Sequence, residues 1–108
     1  MSRMSREKGA RGEREVAAVF RDAGLPDVVR TPNSGGLHVP GDLVGVNGLH
    51  VEVKRAERLD IPAWLQQARA DCPEGSTPVL AFRRSREDWQ AVVPLGWLAE
   101  LISRTQEG

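Results

Sequence analysis

The segment Gly41–Lys54, GDLVGVNGLHVEVK, restricts the fold more than any other part of the chain. Two apolar runs flank Asn47-Gly48, a strong short-range signal for a β-hairpin. Side chains alternate along a strand, so Leu49, Val51 and Val53 share one face and His50, Glu52 and Lys54 the other. The first face supplies core. The second sets a carboxylate and an ammonium group roughly 6.5 Å apart along the strand. A solvated strand edge can carry such a pair with little effect on stability, so Glu52 and Lys54 alone specify nothing. Asp42 changes this. A two-residue turn at Asn47-Gly48 would place Asp42 opposite Val53, away from Glu52. A three-residue loop, Val46 to Gly48, or a kink near Asp42, would bring it beside Glu52, with Cβ atoms roughly 5 Å apart. The expected arrangement is the second.

Two carboxylates held that close repel unless a cation separates them. Lys54 offsets one charge, and a divalent cation offsets both. Mg²⁺ takes oxygen ligands, keeps several waters and needs only one or two protein carboxylates. One such water can be the nucleophile. Lys54 would orient that water, help deprotonate it, or stabilise charge developing on a phosphate. The pattern points to metal-assisted phosphodiester hydrolysis.

The remaining chain reads as a small α/β unit. Val16, Ala17, Val19, Phe20 and Ala23 recur at helical spacing over residues 9–23, and Gly24 and Pro26 end that helix. Residues 28–31 form a short strand. Residues 32–41, dense in Pro, Gly, Asn and Ser, form a loop. Ile61–Asp71 is a helix with Asp60 as N-cap and Pro62 in its first turn. Residues 79–84 and 89–94 are two more strands, and Leu95–Arg104 closes as an amphipathic helix. The order is α-β-β-β-α-β-β-α, giving a mixed central β-sheet flanked by helices. Residues 1–8 read as a basic flexible arm and residues 9–108 as a single domain.

Composition excludes several classes. The 108 residues carry 15 Lys plus Arg and 15 Asp plus Glu, so the formal net charge is zero. Coating of nucleic acid by bulk charge is therefore excluded, though a local basic face is not. Basic residues do cluster: Arg3, Arg6, Lys8, Arg11 and Arg14 at the start, Lys54, Arg55 and Arg58 after the acidic strand, then Arg83, Arg84 and Arg86. If these converge they form a phosphate-binding surface, from which Lys8, Arg11, Arg14, Arg30, Arg55 and Arg58 are the expected DNA contacts. Little in the chain looks built to read base edges, so recognition of DNA shape is expected. The single Cys72 permits no internal disulfide and fits a reducing compartment. No apolar run is long enough to span a membrane, and the basic start has no apolar segment after it, unlike a secretory signal. A cytoplasmic location is expected, that of the host cell if a phage encodes the chain.

Quoted in order, KGARGEREVAAVFRDAG, VVRTPNSGG and PGDLVGVNGLHVEVK resemble the archaeal-type Holliday junction resolvases of the PD-(D/E)XK nuclease superfamily. The similarity covers about residues 8–54. It implies a restriction-endonuclease-like fold, a homodimer, Mg²⁺ with Mn²⁺ as a substitute, no organic cofactor, and cleavage of branched DNA such as a four-way junction. Residue by residue, it makes Glu13 the helix acid completing a metal site formed with Asp42, Glu52 and the backbone carbonyl of Val53. It makes Lys54 the catalytic lysine, Ser34 the loop serine near the scissile phosphate, Arg14 the basic neighbour of Glu13, and Arg30 a phosphate contact. The chain departs from the pattern at Gly41, where the family carries Pro; Pro40 lies one place earlier. Glu15 competes with Glu13 as the helix acid, and Gln66 or Gln67 matches the glutamine some relatives carry on the following helix. Rival readings are another endonuclease of the same fold, acting in restriction, repair or phage DNA processing, and a silent DNA-binding module.

Overall fold

Residues 3–8 are helical. Arg3, Met4, Arg6, Glu7 and Lys8 are good helix formers, and α1 runs from Arg3 to Asp22, ahead of the expected start at Gly9. The stretch read as an arm is, from Arg3 onward, the first turns of this helix. The computed structural model describes residues 3–32 and 41–107. At the end of α1, Gly24 N–H donates to Arg21 O at 3.0 Å and Leu25 N–H to Phe20 O at 3.1 Å. Those two bonds satisfy carbonyls that the last turn leaves open.

The elements that follow are β1 (Val29–Arg30), β2 (Leu43–Val44), β3 (Leu49–Arg55), α2 (Ile61–Asp71), β4 (Thr77–Arg83), β5 (Gln90–Val92) and α3 (Leu95–Glu107). Their order matches the order expected from the sequence. The central sheet is mixed, in the order β3-β4-β5. β3 and β4 run parallel, with Glu52 beside Leu80 and Lys54 beside Phe82. β4 and β5 run antiparallel. α2 makes the crossover between the parallel strands, and the Asp60 carboxylate caps it by accepting from Ala63 N–H at 3.4 Å.

The sheet is covered on both faces, giving a restriction-endonuclease-like layering. Val51, Val79 and Ala81 bury under Val16 and Ala17 of α1 in one apolar cluster with Val28 and Leu43. Leu80 and Phe82, on the other pleat of β4, are buried on the side where α2 places the fully buried Ala68. Among the described residues no helix is long and apolar enough to cross a membrane.

The expected hairpin is built differently. Leu49 N–H donates to Val46 O at 3.3 Å, which closes a two-residue turn over Asn47-Gly48 rather than a three-residue loop. β2 then leaves β3 and pairs antiparallel with β1. The cause is Gly45, at φ +94°: a Cβ there would lie 2.5 Å from Asp27 O. Only glycine can bring the backbone that close in that conformation. The kink delivers Asp42 to the edge of β3, which is the alternative geometry the sequence left open. Asp42 N–H donates to Val51 O at 2.8 Å, and Asp42 O accepts from Thr31 N–H at 2.9 Å.

Gly45 and Gly75 both sit at positive φ, but nothing lies within 4 Å of a Cβ added at Gly75. Gly75→Ala should therefore cost only the conformational penalty, about 1 kcal/mol. Gly45→Ala adds a backbone clash and should cost about 3 kcal/mol. Urea denaturation of the two variants measures the difference.

Candidate active site

Three carboxyl groups from three elements face one cleft of about 840 Å³, whose walls include Glu13, Asp42, Glu52, Val53, Lys54, Lys8, Arg30, Arg55 and Gln67. α1 supplies Glu13, the kink supplies Asp42, and β3 supplies the rest. Each acid is fixed by a different partner. Asp42 Oδ2 accepts from Val53 N–H at 2.7 Å. Glu13 Oε1 accepts from Arg30 Nε at 3.0 Å. Glu52 Oε1 lies 2.9 Å from His50 Nε2. One oxygen of each carboxyl is thereby engaged in orientation.

The three acids act on one another through Asp42, whose charge raises both Glu13 and Glu52. Burial and then the Asp42 charge push the Glu52 carboxyl up to about 7, and Lys54 only partly offsets this. Burial also raises Glu13, against the opposing effect of Arg30. His50, only 3% exposed, is lowered by burial. Burial first, and the Asp42 charge with it, thus disfavour the charged forms of Glu13 and Glu52. An oxygen-only donor set of this kind suits a hard divalent ion such as Mg²⁺, which keeps several waters. Among the described residues, no group of three or more His, Cys, Asp or Glu side chains is spaced as a ready-made metal cage. Two carboxylates and the Val53 carbonyl are nevertheless enough for an ion that retains most of its hydration.

Of the two acids competing on α1, Glu13 faces the cleft. Glu15 faces elsewhere: its Oε1 accepts from Arg83 Nη1 and from Trp89 Nε1, both at 3.0 Å. The Arg83 guanidinium also lies over the Trp89 ring, 5.8 Å from its centroid. Glu15 therefore locks α1 against β4 and the start of β5. Arg30, expected as a phosphate contact, lines the cleft with its Nε committed to Glu13. Arg55 also lines it. Its Nε and Nη1 are buried without a hydrogen bond among the described residues, and Nη1 is 3.9 Å from Glu15 Oε2, too long for one. Arg11, Arg14 and Arg58 are exposed and outside the cleft lining, whereas Lys8 is within it. Gln67 reaches the cleft and Gln66 does not. Ser34 lies outside the described residues.

The sequence reading missed His50 as the partner of Glu52 and Arg30 as the partner of Glu13. The first was detectable, because His50 and Glu52 share a strand face two residues apart. The second joins residues 17 apart in sequence and needs the packing of α1 on β1.

Glu52 gives the metal-free protein a pH-dependent stability. The group titrates at 4.5 when unperturbed and at about 7 when folded, so the folded state holds the proton more tightly. That contribution is complete below 4.5 and is lost as pH rises through 7. Glu13 adds in the same direction. His50 opposes it only below its ordinary 6.5. In chelator-treated protein, Tm should fall as pH rises from 6.5 through 7, and Glu52→Gln should flatten that fall. Differential scanning fluorimetry across this range is the check.

A scan against protein families matched residues 4–106 to a family described as phage putative PDDEXK endonuclease. Searches of curated proteins and of solved structures each returned no match. The family match spans nearly the whole chain. It supports the PD-(D/E)XK superfamily and does not single out the archaeal-type Holliday junction resolvases within it. The chain belongs to the phage putative PDDEXK endonuclease family, a group of PD-(D/E)XK nucleases.

Proposed function

We propose that the protein is a divalent-metal-dependent endodeoxyribonuclease that recognises DNA by shape and cuts branched DNA, with the four-way junction as its substrate. The single observation that carries the nuclease reading is the meeting of Glu13, Asp42 and Glu52 beside Lys54 in a cleft walled by Lys8, Arg30 and Arg55. A phosphate entering that cleft meets cations on its walls and crowded carboxylates at its floor. A bound Mg²⁺ or Mn²⁺ would supply Lewis-acid polarisation of the phosphate and a more acidic water. Asp42, Glu52 and the Val53 carbonyl would hold it, with Glu13 closing the set.

The chain's own residues account for the remaining tasks. Val53 N–H and His50 fix the orientations of Asp42 and Glu52, so neither must reorganise when substrate arrives. Arg30 does the same for Glu13. Lys54 stabilises the charge that builds on the phosphate as water adds to phosphorus and the ester oxygen departs. Arg55 adds its positive charge to the cleft wall. The basic side chains Lys8, Arg30, Lys54 and Arg55 lining the cleft favour recognition of backbone and shape.

Symmetric cutting of a junction needs two sites related by a two-fold axis. A homodimer supplies them. Support for it comes from α3, which packs only lightly on the rest of the chain and leaves Leu95, Leu101 and Ile102 exposed, Leu95 at 78%. The cytoplasm, where DNA is accessible, is the proposed location. Another endonuclease specificity within the same superfamily fits the family match equally well, since it names an endonuclease without naming a junction.

Incubation of labelled four-way junctions and of their linear arms with Mg²⁺ tests the reading. Symmetric cuts in the junction alone are expected. Asp42→Asn, Glu52→Gln and Lys54→Ala should each reduce the rate by about a thousandfold, the scale for losing a preorganised electrostatic group. Cuts in linear duplex would transfer the assignment to another endonuclease specificity. Binding without cuts would leave only a DNA-binding module.

A further inference from the structure

The hairpin between β4 and β5 carries three arginines, and the fold treats them differently. Arg83 is committed to Glu15, with Nη1 donating at 3.0 Å. Arg84 makes a bidentate pair with Glu87, Nη2 donating to Oε2 at 2.7 Å and Nε to the same oxygen at 3.1 Å. Arg86 is exposed and makes no hydrogen bond or ion pair among the described residues. It is also the only described non-glycine residue at positive φ, +67°. That conformation is unfavourable for a residue with a side chain, so the hairpin holds Arg86 there against its own preference.

The hairpin is tied to the cleft. Glu57, on the cleft wall, accepts from Ser85 N–H at 3.0 Å through Oε2. That backbone bond holds the Glu57 carboxyl below its usual range, with the Lys8 and Arg84 charges acting in the same direction. Lys8 lies on the same wall. The tip residue next to Ser85 therefore stands at the rim of the cleft, on a short, doubly braced loop.

We propose that Arg86 is a DNA-backbone contact: a guanidinium presented at the cleft rim to a phosphate flanking the cleaved one. This rests on the nuclease reading and extends its DNA surface to a hairpin. A polyanion lying along the cleft is longer than the cleft itself. Its flanking phosphates pass the rim, where Arg86 is the hairpin's one arginine with its donors unspent. Asp88 lies two residues further on, so Arg86 acts as a local donor rather than through a broad positive field.

Arg86→Gly tests this, because it removes the side chain and relieves the strained φ together. Binding of a labelled four-way junction in chelator, which prevents cleavage, is measured across a salt series, alongside thermal stability. The expected result is weaker binding, with the slope of log K against log salt shallower by about 0.9, the value of one phosphate contact. Tm should stay the same or rise, since glycine accepts the left-handed conformation. Arg86→Lys keeps the charge and should keep the slope. Unchanged affinity and slope in Arg86→Gly would overturn the proposal while leaving the nuclease reading intact. A drop in Tm accompanying the lost affinity would also overturn it, because the hairpin's shape would then be what was removed. Failure of the wild-type protein to bind the junction at all would sink the nuclease reading itself.

Discussion

Asp42 is pinned at three points, and the site depends on that pinning. Its N–H reaches β3 at Val51 O, its carbonyl takes Thr31 N–H, and its carboxylate takes Val53 N–H. The two backbone bonds join the small β1-β2 ribbon to the central sheet. The side-chain bond makes the carboxylate stand in for the carbonyl of a strand neighbour, so Asp42 continues the sheet with its own side chain. An acid in such a position cannot turn away from Glu52 to relieve repulsion without breaking the seam between the two sheets. The fold therefore stabilises a charge arrangement that would disperse on a flexible loop.

That arrangement explains the other bonds around it. Glu52, only 9% exposed, faces Asp42 and carries His50 at its back. Glu13 comes from a helix that is itself clamped elsewhere, by Glu15 to Arg83 and Trp89. Two acids on one helix thus do opposite work: Glu15 ties α1 down, and Glu13 is left to face the cleft. Burial of Val16 and Ala17 against Val51 sets how far α1 stands from β3. The apolar cluster and the charged cleft are two consequences of one packing.

Much of this was legible in the residues. The Asp60 cap and Pro62 fixed the start of α2, because local chemistry decides a helix N-terminus. The alternation in Leu49–Lys54 separated core from site correctly, because a strand's period admits no other division. Asn47-Gly48 marked the turn, but the hairpin it announced is mostly absent, since Gly45 turns β2 toward β1. That deflection depends on the approach of Asp27, which no local pattern encodes. Likewise Glu13 and Glu15 could not be ranked by periodicity, because the partner that occupies Glu15 comes from β4, far along the chain. Basic residues that cluster in sequence diverge in space. Lys8 and Arg55 reach the cleft, Arg83 and Arg84 are spent on carboxylates, and Arg11, Arg14 and Arg58 stay outside the cleft.

The central claim is that the pinned Asp42 and the buried Glu52 form a place for a hard divalent cation beside Lys54. Anomalous diffraction from a crystal soaked in Mn²⁺ tests it most directly. The account predicts an ordered Mn²⁺ peak between the Asp42 and Glu52 carboxylates and the Val53 carbonyl. A soaked crystal with no peak there, and with Asp42 still bonded to Val53 N–H and Glu52 to His50, would contradict it.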